Sequence, residues 1–535
     1  MKHLKPFYVA VLLNSCFFIA YGFHLLNDGQ DFSHLSTPNG LGSSDLSGAI
    51  RMAVIYESSG FMNFKSNFTN YPDGENLFSI YLLSQFNTNL LIQLFGFLSP
   101  KIAIFLIQFI FSTITTLGIL IFLNQVTKKL AFSIAISLIY LISSFNVSNL
   151  GAHINGLLWG LPLFILVNLY REISMIGTKK KNLIIVFLMM LITDIYFCYA
   201  AIFIFISSLI FKRIYMHKID KIIDKRKEFN SLVSNFHRKN FITILMSIFL
   251  VYIFALLPSI RKIFDNMYGD GAFQPASPIP LTLANISLLN TFLGLIVIFI
   301  VLNFKKFSYQ DRWLFWTASL LLVFSVNLGS FRGLNLSPVH VFNMFLPNLD
   351  HVQRFLPYVI LIYMVLAIKI LIEFFEKFQH NLYYIKRVIV FVFIVSTFSR
   401  IFSLMDSEHV SVHSLRYEEF RKMIPIRSSI LAIPNEIFGR DWLQQAYLNR
   451  PLVNSLNTKE TNDLVTQISV NRPSNLRKFM QSKNTSFLIM PCDYKLTWKA
   501  FRYSSDDFDK NFSFVAKVKD QGYEQGSFEV CLYRI

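Results

Sequence analysis

Acidic side chains that could act as a base lie at Asp28, Asp31, Asp45, Glu57, Asp73, Glu75 and Asp194. All but the last fall in one polar stretch, residues 27–100, whereas Asp194 interrupts an apolar hairpin. His153 and Arg354 each stand at the head of a further apolar run. A positioned carboxylate can take a proton from a nucleophile, and a guanidinium can fork onto a phosphate through two hydrogen bonds. Each residue also has a plainer reading. Asp45 follows Ser43-Ser44 and precedes the amphipathic run Leu46–Tyr56, where a helix N-cap belongs. His153 reads equally as a packed interfacial residue, Asp194 as a hairpin tip, and Arg354 as an Arg snorkelling to the membrane surface. The cluster Tyr71-Pro72-Asp73-Gly74-Glu75-Asn76 is a turn by composition alone.

The elements that must position these groups are membrane helices. Of 535 residues, 53% are hydrophobic, 15% are charged and 57 are Phe. Soluble domains carry about 25% charged residues, so this chain cannot cover several globules with polar surface. A helix needs about 20 apolar residues to cross the hydrocarbon core. Eleven runs qualify, some by tilting: 6–26, 101–124, 130–147, 154–171, 182–194, 196–212, 240–258, 283–303, 312–329, 355–373 and 387–404. The run 77–98 is interrupted by Gln85, Asn87, Asn89 and Gln93, and suits an amphipathic or re-entrant helix better than a span.

The net charge of +18 would point to nucleic acid if it were spread over the chain. Placing the N-terminus inside puts 23 Lys and Arg in the inner loops and eight in the outer loops before residue 404. That asymmetry is the positive-inside bias, so nucleic acid is not a partner and the basic run Lys212–Lys239 reads as an inner anchor. Residues 6–26 lead into Asn27-Asp28 and not into a small-residue cleavage site, which predicts a retained first span. The titratable groups that stand out near the membrane then all face the outer side. A ladder of polar residues at several depths, which an ion path would need, is not evident. An active site at the outer lipid–water boundary fits better.

Residues 1–404 thus read as a multi-spanning domain with a long first outer loop, 27–100. Residues 405–535 read as a small extracytoplasmic α/β domain. Alternating runs at Ser428–Ile433, Ser486–Met490 and Ser527–Arg534 predict strands, and Trp442–Tyr447, Asp463–Val470 and Ser474–Met480 predict helices. Of four Cys, Cys492 and Cys531 both sit beside strand-like runs in that outer part, where an oxidising compartment allows a disulfide.

The order of these pieces resembles the bacterial multi-spanning glycosyltransferases of the GT-C superfamily. The resemblance is carried by the acidic first outer loop with Asp45 before a helix, YPDGEN (71–76), GAHINGLLWGLPLFIL (151–166), TDIYF (193–197) and LDHVQRF (349–355). The distal stretch SSILAIPNEIFGRDWLQQAYLNRPLVNS (428–455) adds to it. It implies a GT-C-like helical membrane protein that transfers a sugar from a polyprenyl-phosphate carrier to a glycan, lipid or protein acceptor in the cell envelope. By motif position the catalytic carboxylate is Asp45, with Asp28 and Asp31 as rivals; Ser44 stands where the family more often has Gly. His153, Asp194 and Glu57 would bind substrate, and Arg354 would hold the donor phosphate. Many relatives use a divalent cation, and Mg or Mn is compatible with acids that here lack tight ligand spacing. The expected location is the bacterial inner membrane, N-terminus cytoplasmic and distal domain periplasmic. A transporter or flippase of a lipid-linked substrate, or a non-catalytic assembly protein of the same architecture, are the competing readings.

Overall fold

The computed structural model describes residues 4–27, 55, 65–66, 75–76, 86–98, 100–141, 154–173, 195–219, 296–325, 330–331, 334–335, 355–377, 417–433, 448–453, 473–492, 505–521 and 527–535. The predicted spans 182–194, 240–258 and 387–404, and the predicted helices at 442–447 and 463–470, lie outside the described residues.

The apolar runs that are described form helices close to their expected bounds. These are α1 (Leu4–Asn27), α3 (Pro100–Thr127), α4 (Leu130–Leu141), α5 (Leu161–Ile173), α6 (Ile195–Ile219), α7 (Tyr309–Ser325) and α8 (Leu356–Lys377). Of the doubtful run 77–98, residues 86–98 are described and hold a nine-residue helix, α2 (Phe86–Leu94), packed on α3. By length and composition, Ile102–Thr127 and Leu356–Glu373 can each cross a membrane; Pro6–Ile19, Leu130–Leu141, Gly156–Arg171 and Phe197–Phe211 are shorter apolar helices.

Helix α3 is central, touching α1, α2, α4, α5 and α8, while α7 packs between α6 and α8. Lipid offers no hydrophobic gain for helix association, so close approach and interhelical hydrogen bonds matter more there. Both are present. Buried Asn14 of α1 accepts a hydrogen bond from Ser112 of α3 at 2.8 Å. Ser207 of α6 meets Thr317 of α7 at 2.6 Å. Where α3 crosses the 3-10 turn Ile154–Leu158, the Thr115 hydroxyl donates to the Leu157 carbonyl and accepts from the Gly160 N–H, the latter at 3.1 Å. A Cβ on Gly160 would stand 2.6 Å from Thr115 Cα, so only glycine permits this crossing.

The polar stretch 27–100 contributes a two-residue antiparallel pair, β1 (Lys65–Ser66) with β2 (Glu75–Asn76). Of the expected turn cluster 71–76, Glu75 and Asn76 are therefore in a strand, and residues 71–74 lie outside the described residues. A second small hairpin pairs β3 (Ser330–Phe331) with β4 (Leu334–Asn335).

The distal part contains a four-stranded mixed sheet in the order β5-β6-β8-β7. Its strands are β5 (Ile430–Ala432), β6 (Phe487–Pro491), β7 (Ser513–Gln521) and β8 (Ser527–Arg534). Strands β5 and β6 are parallel and the other two pairs antiparallel. Helices α9 (Tyr417–Met423), α10 (Pro473–Ser482) and α11 (Ser505–Asp509) accompany it. The parallel pair needs a crossover, and α10 lies in the chain between β5 and β6. Cys492, just past β6, is joined to Cys531 of β8 by a disulfide.

Candidate functional site

At one end of the helical assembly, aromatic side chains from five elements interlock. Trp159 Nε1 donates to the Tyr140 hydroxyl at 3.0 Å, tying α4 to the residue that precedes α5. The Tyr358 hydroxyl of α8 donates to the Trp159 carbonyl at 2.7 Å. The Trp159 ring meets both tyrosines edge-on, at centroid distances of 5.4 and 5.6 Å. Phe203 of α6 stacks on Phe324 of α7 at 4.2 Å and meets Phe355 edge-on at 5.7 Å. Edge-to-face geometry sets the negative ring face against a positive ring edge, which orients these helices relative to one another.

Three of the interlocked elements begin just after residues that the sequence proposes for the site. The turn Ile154–Leu158 follows His153, α6 follows Asp194, and Phe355 follows Arg354. His153, Asp194 and Arg354 themselves lie outside the described residues. So do Asp28, Asp31, Asp45 and Glu57. From the run that carries Asp45, Ile55 is described: it is helical and fully buried in the common core. On α2, the amide of Gln93 is buried and meets no partner among the described residues.

The opposite end is polar, and the one-sided distribution of titratable groups expected from sequence needs correcting there. Asp311, at the start of α7, is 1% exposed. Its carboxylate accepts from Lys369 Nζ at 2.6 Å, from the Tyr170 hydroxyl at 3.1 Å and from the Ser308 N–H at 3.2 Å. The Ser308 hydroxyl also donates to it. Arg171 Nε donates to the Gln125 side chain at 3.1 Å, adding the end of α3. In the tight α3–α4 turn, Lys128 adopts φ 58°, and burial followed by the charges of Arg171 and Lys369 holds its ammonium below the usual lysine pKa. Lys128, Arg171 and Arg312, which positive-inside counting assigns to inner loops, thus lie at the same end as this ion pair. That counting passes over Asp311 and Lys369. Asp311 does have a sequence signal, since Ser308-x-x-Asp before an apolar run is a capping pattern. Lys369 has one too, as a lone cation in an apolar helix.

In the distal part, the Arg-Pro-Leu-Val piece of the family-like stretch is structural. Arg450 is 7% exposed and donates to the carbonyls of Ile424, Arg421 and Asn449, at 2.9 to 3.1 Å. It thereby closes the C-terminal end of α9, whose last carbonyls lack helical partners. Leu452 bridges Ile430 in parallel, lengthening the sheet.

Among the described residues, no group of three or more His, Cys, Asp and Glu could hold a metal ion. Of the acids in residues 27–100, Glu75 is described, as part of β2, and Asp28, Asp31, Asp45, Glu57 and Asp73 lie outside the described residues.

No family model and no curated protein matches the chain. Solved structures of the oligosaccharyltransferase of the archaeon Archaeoglobus fulgidus do match. One, with a tethered acceptor peptide, has 12% identity and a TM-score of 0.44 over 98% of this chain and 74% of that one. The apo form has 11% identity and a TM-score of 0.42, covering 96% and 73%. A third, AglB with an inhibitory peptide and dolichol-phosphate, has 10% identity and a TM-score of 0.41, covering 99% and 74%. Overlaps this loose carry no chemistry from one chain to the other.

Proposed function

We propose that this chain is a membrane glycosyltransferase of GT-C type. It takes a sugar from a polyprenyl-phosphate carrier and transfers it to a cell-envelope acceptor, a glycan, lipid or protein, at the outer face of a bacterial inner membrane. The observation that carries the proposal is the convergence of the turn after His153, the helix after Asp194 and the helix after Arg354 on one interlock built around Trp159 and Tyr358. Those three residues come from distant parts of the sequence, and a shared scaffold at their flanks is what a common site requires.

The reaction asks little of the protein because the donor is already activated. Asp45 takes the proton from the acceptor's nucleophilic group, whose oxygen or nitrogen then attacks the anomeric carbon. The bond from that carbon to the phosphate oxygen breaks, and polyprenyl phosphate departs with the electron pair. Arg354 faces the growing phosphate charge, and His153, Asp194 and Glu57 orient the sugar and acceptor. The apolar helices flank a path for the lipid tail. A divalent cation, if bound by the first-loop acids, would supply further neutralisation of the phosphate.

The test is Asp45→Asn in membranes. Transfer should be lost while the protein stays folded and inserted. Full activity in the variant would remove Asp45 from the mechanism, and Asp28→Asn and Asp31→Asn would then be compared.

A further inference from the structure

A cavity of about 540 Å³ opens at the end of α9, lined by Arg421, Lys422 and Arg450 together with Met423, Pro425 and Ile426 among others. No acidic side chain lines it among the described residues. Buried Arg450 spends its donors on backbone carbonyls, so it fixes the floor and contributes charge, whereas the side chains of Arg421 and Lys422 are exposed and able to reach a ligand. The guanidinium of Arg450 is held below its ordinary pKa by burial and then by the nearby charge of Arg421. Beside these cations the chain turns its apolar groups outward. Ile426 is 81% exposed and Met423 49%, with Arg427 next in line and also exposed.

Cations that ring exposed aliphatic side chains match a membrane interface, where charge meets headgroups and apolar tips meet the acyl boundary. A soluble phosphate would use the cations but leave Ile426 and Met423 in water. The position in the chain agrees, since 12 residues separate the end of the apolar run 387–404 from the start of α9.

We propose that this cavity binds the phosphate of an anionic phospholipid headgroup through Arg421 and Lys422, with Ile426 and Met423 seated at the acyl boundary. The contact would hold the distal domain against the bilayer, independently of any sugar transfer.

The test uses the full chain in lipid nanodiscs. Cys16→Ser and Cys198→Ser leave the disulfide pair, and Ile426→Cys then carries an environment-sensitive dye. In discs containing phosphatidylglycerol the dye should be quenched by doxyl-labelled lipid and shielded from aqueous iodide. Arg421→Ala with Lys422→Ala should weaken docking about 25-fold, since each basic residue near an anionic surface contributes about a factor of five. The Arg450 bonds go to the backbone carbonyl of residue 421 and survive that change. Strong iodide quenching in anionic discs would overturn the proposal. So would shielding from both quenchers, which means that protein covers the face. Equal docking in purely zwitterionic discs, or displacement of the dye's response by millimolar inorganic phosphate, would overturn the headgroup assignment in favour of apolar contact or a soluble anion.

Discussion

Lys369 Nζ lies 2.6 Å from Asp311 Oδ2, with Asp311 1% exposed and Lys369 22% exposed. The pair joins α7 to α8, and Tyr170 brings in α5 through the same carboxylate. Breaking a buried pair leaves one charge without its partner and costs about 3 kcal/mol, whereas replacing both partners by apolar residues of similar volume is often neutral. Asp311→Leu alone should lower the melting temperature in detergent sharply. Asp311→Leu with Lys369→Met should recover most of the loss. A double variant as unstable as the single one would show that the carboxylate's other contacts, from Ser308 and Tyr170, dominate.

The α3 crossing makes a separate prediction. A Cβ at Gly160 would stand 2.6 Å from Thr115 Cα, a backbone atom that cannot swing aside. Gly160→Ala should cost about 1–3 kcal/mol by overpacking. At Gly118 the nearest atom to an added Cβ is the Gly160 carbonyl oxygen, at 2.8 Å, so Gly118→Ala strains the same crossing. Because the two sites share one contact, the double variant should lose less than the two separate losses combined. Thermal melting of the three variants decides this.

The disulfide between Cys492 and Cys531 spans 39 positions. Closing a loop of that length removes unfolded-state entropy equivalent to about 4 kcal/mol. Cys492→Ser with Cys531→Ser should destabilise the distal sheet by a large part of that amount, read by limited proteolysis. Alkylation of the unfolded, unreduced chain should modify Cys16 and Cys198, the latter buried in the native chain, but not this pair. Labelling of all four would contradict the pairing.

Alkaline pH should also act on this sheet. Burial, and then the charge of Asp509, pushes the Tyr533 hydroxyl up to about 12. An unfolded tyrosine ionises near about 10. The neutral form is therefore favoured in the folded state, and its contribution is intact below the unfolded value and lost as pH rises from there through the folded one. Tyr533→Phe should flatten the stability of the distal sheet across that window. An unchanged pH profile would mean that Tyr533 is not the group responsible.

What was legible in the sequence follows from how local each signal is. Apolar runs report helices directly, so α1, α3 and α8 begin and end near the expected positions, whereas the run 154–171 opens on the turn Ile154–Leu158 before α5 and α6 continues past 212 to Ile219. Alternation at Ser428–Ile433, Ser486–Met490 and Ser527–Arg534 likewise marks β5, β6 and β8. Strand β7 went unmarked because Lys517, Lys519 and Asp520 break its apolar pattern, and Phe514 and Val515 are exposed. Counting loop charges picks out Lys128, Arg171 and Arg312 but is blind to Asp311 and Lys369, whose meaning depends on two helices meeting. Arg450 was legible as part of a motif, yet its role as a clamp on α9 depends on a segment some 26 positions away. The interlock of Trp159, Tyr140 and Tyr358 could not be read at all, because aromatic residues are too common in this chain for any one to stand out.

The central claim is covalent transfer of a lipid-linked sugar, and donor turnover tests it most directly. Purified protein in lipid vesicles would be given a polyprenyl-phosphate sugar labelled in the sugar, with envelope extract as acceptor. Wild-type protein should release polyprenyl phosphate and move the label into an acceptor-linked product, and Asp45→Asn should do neither. Movement of the intact labelled donor across the bilayer, with no polyprenyl phosphate released and no covalent product, would contradict the account and identify a transporter instead.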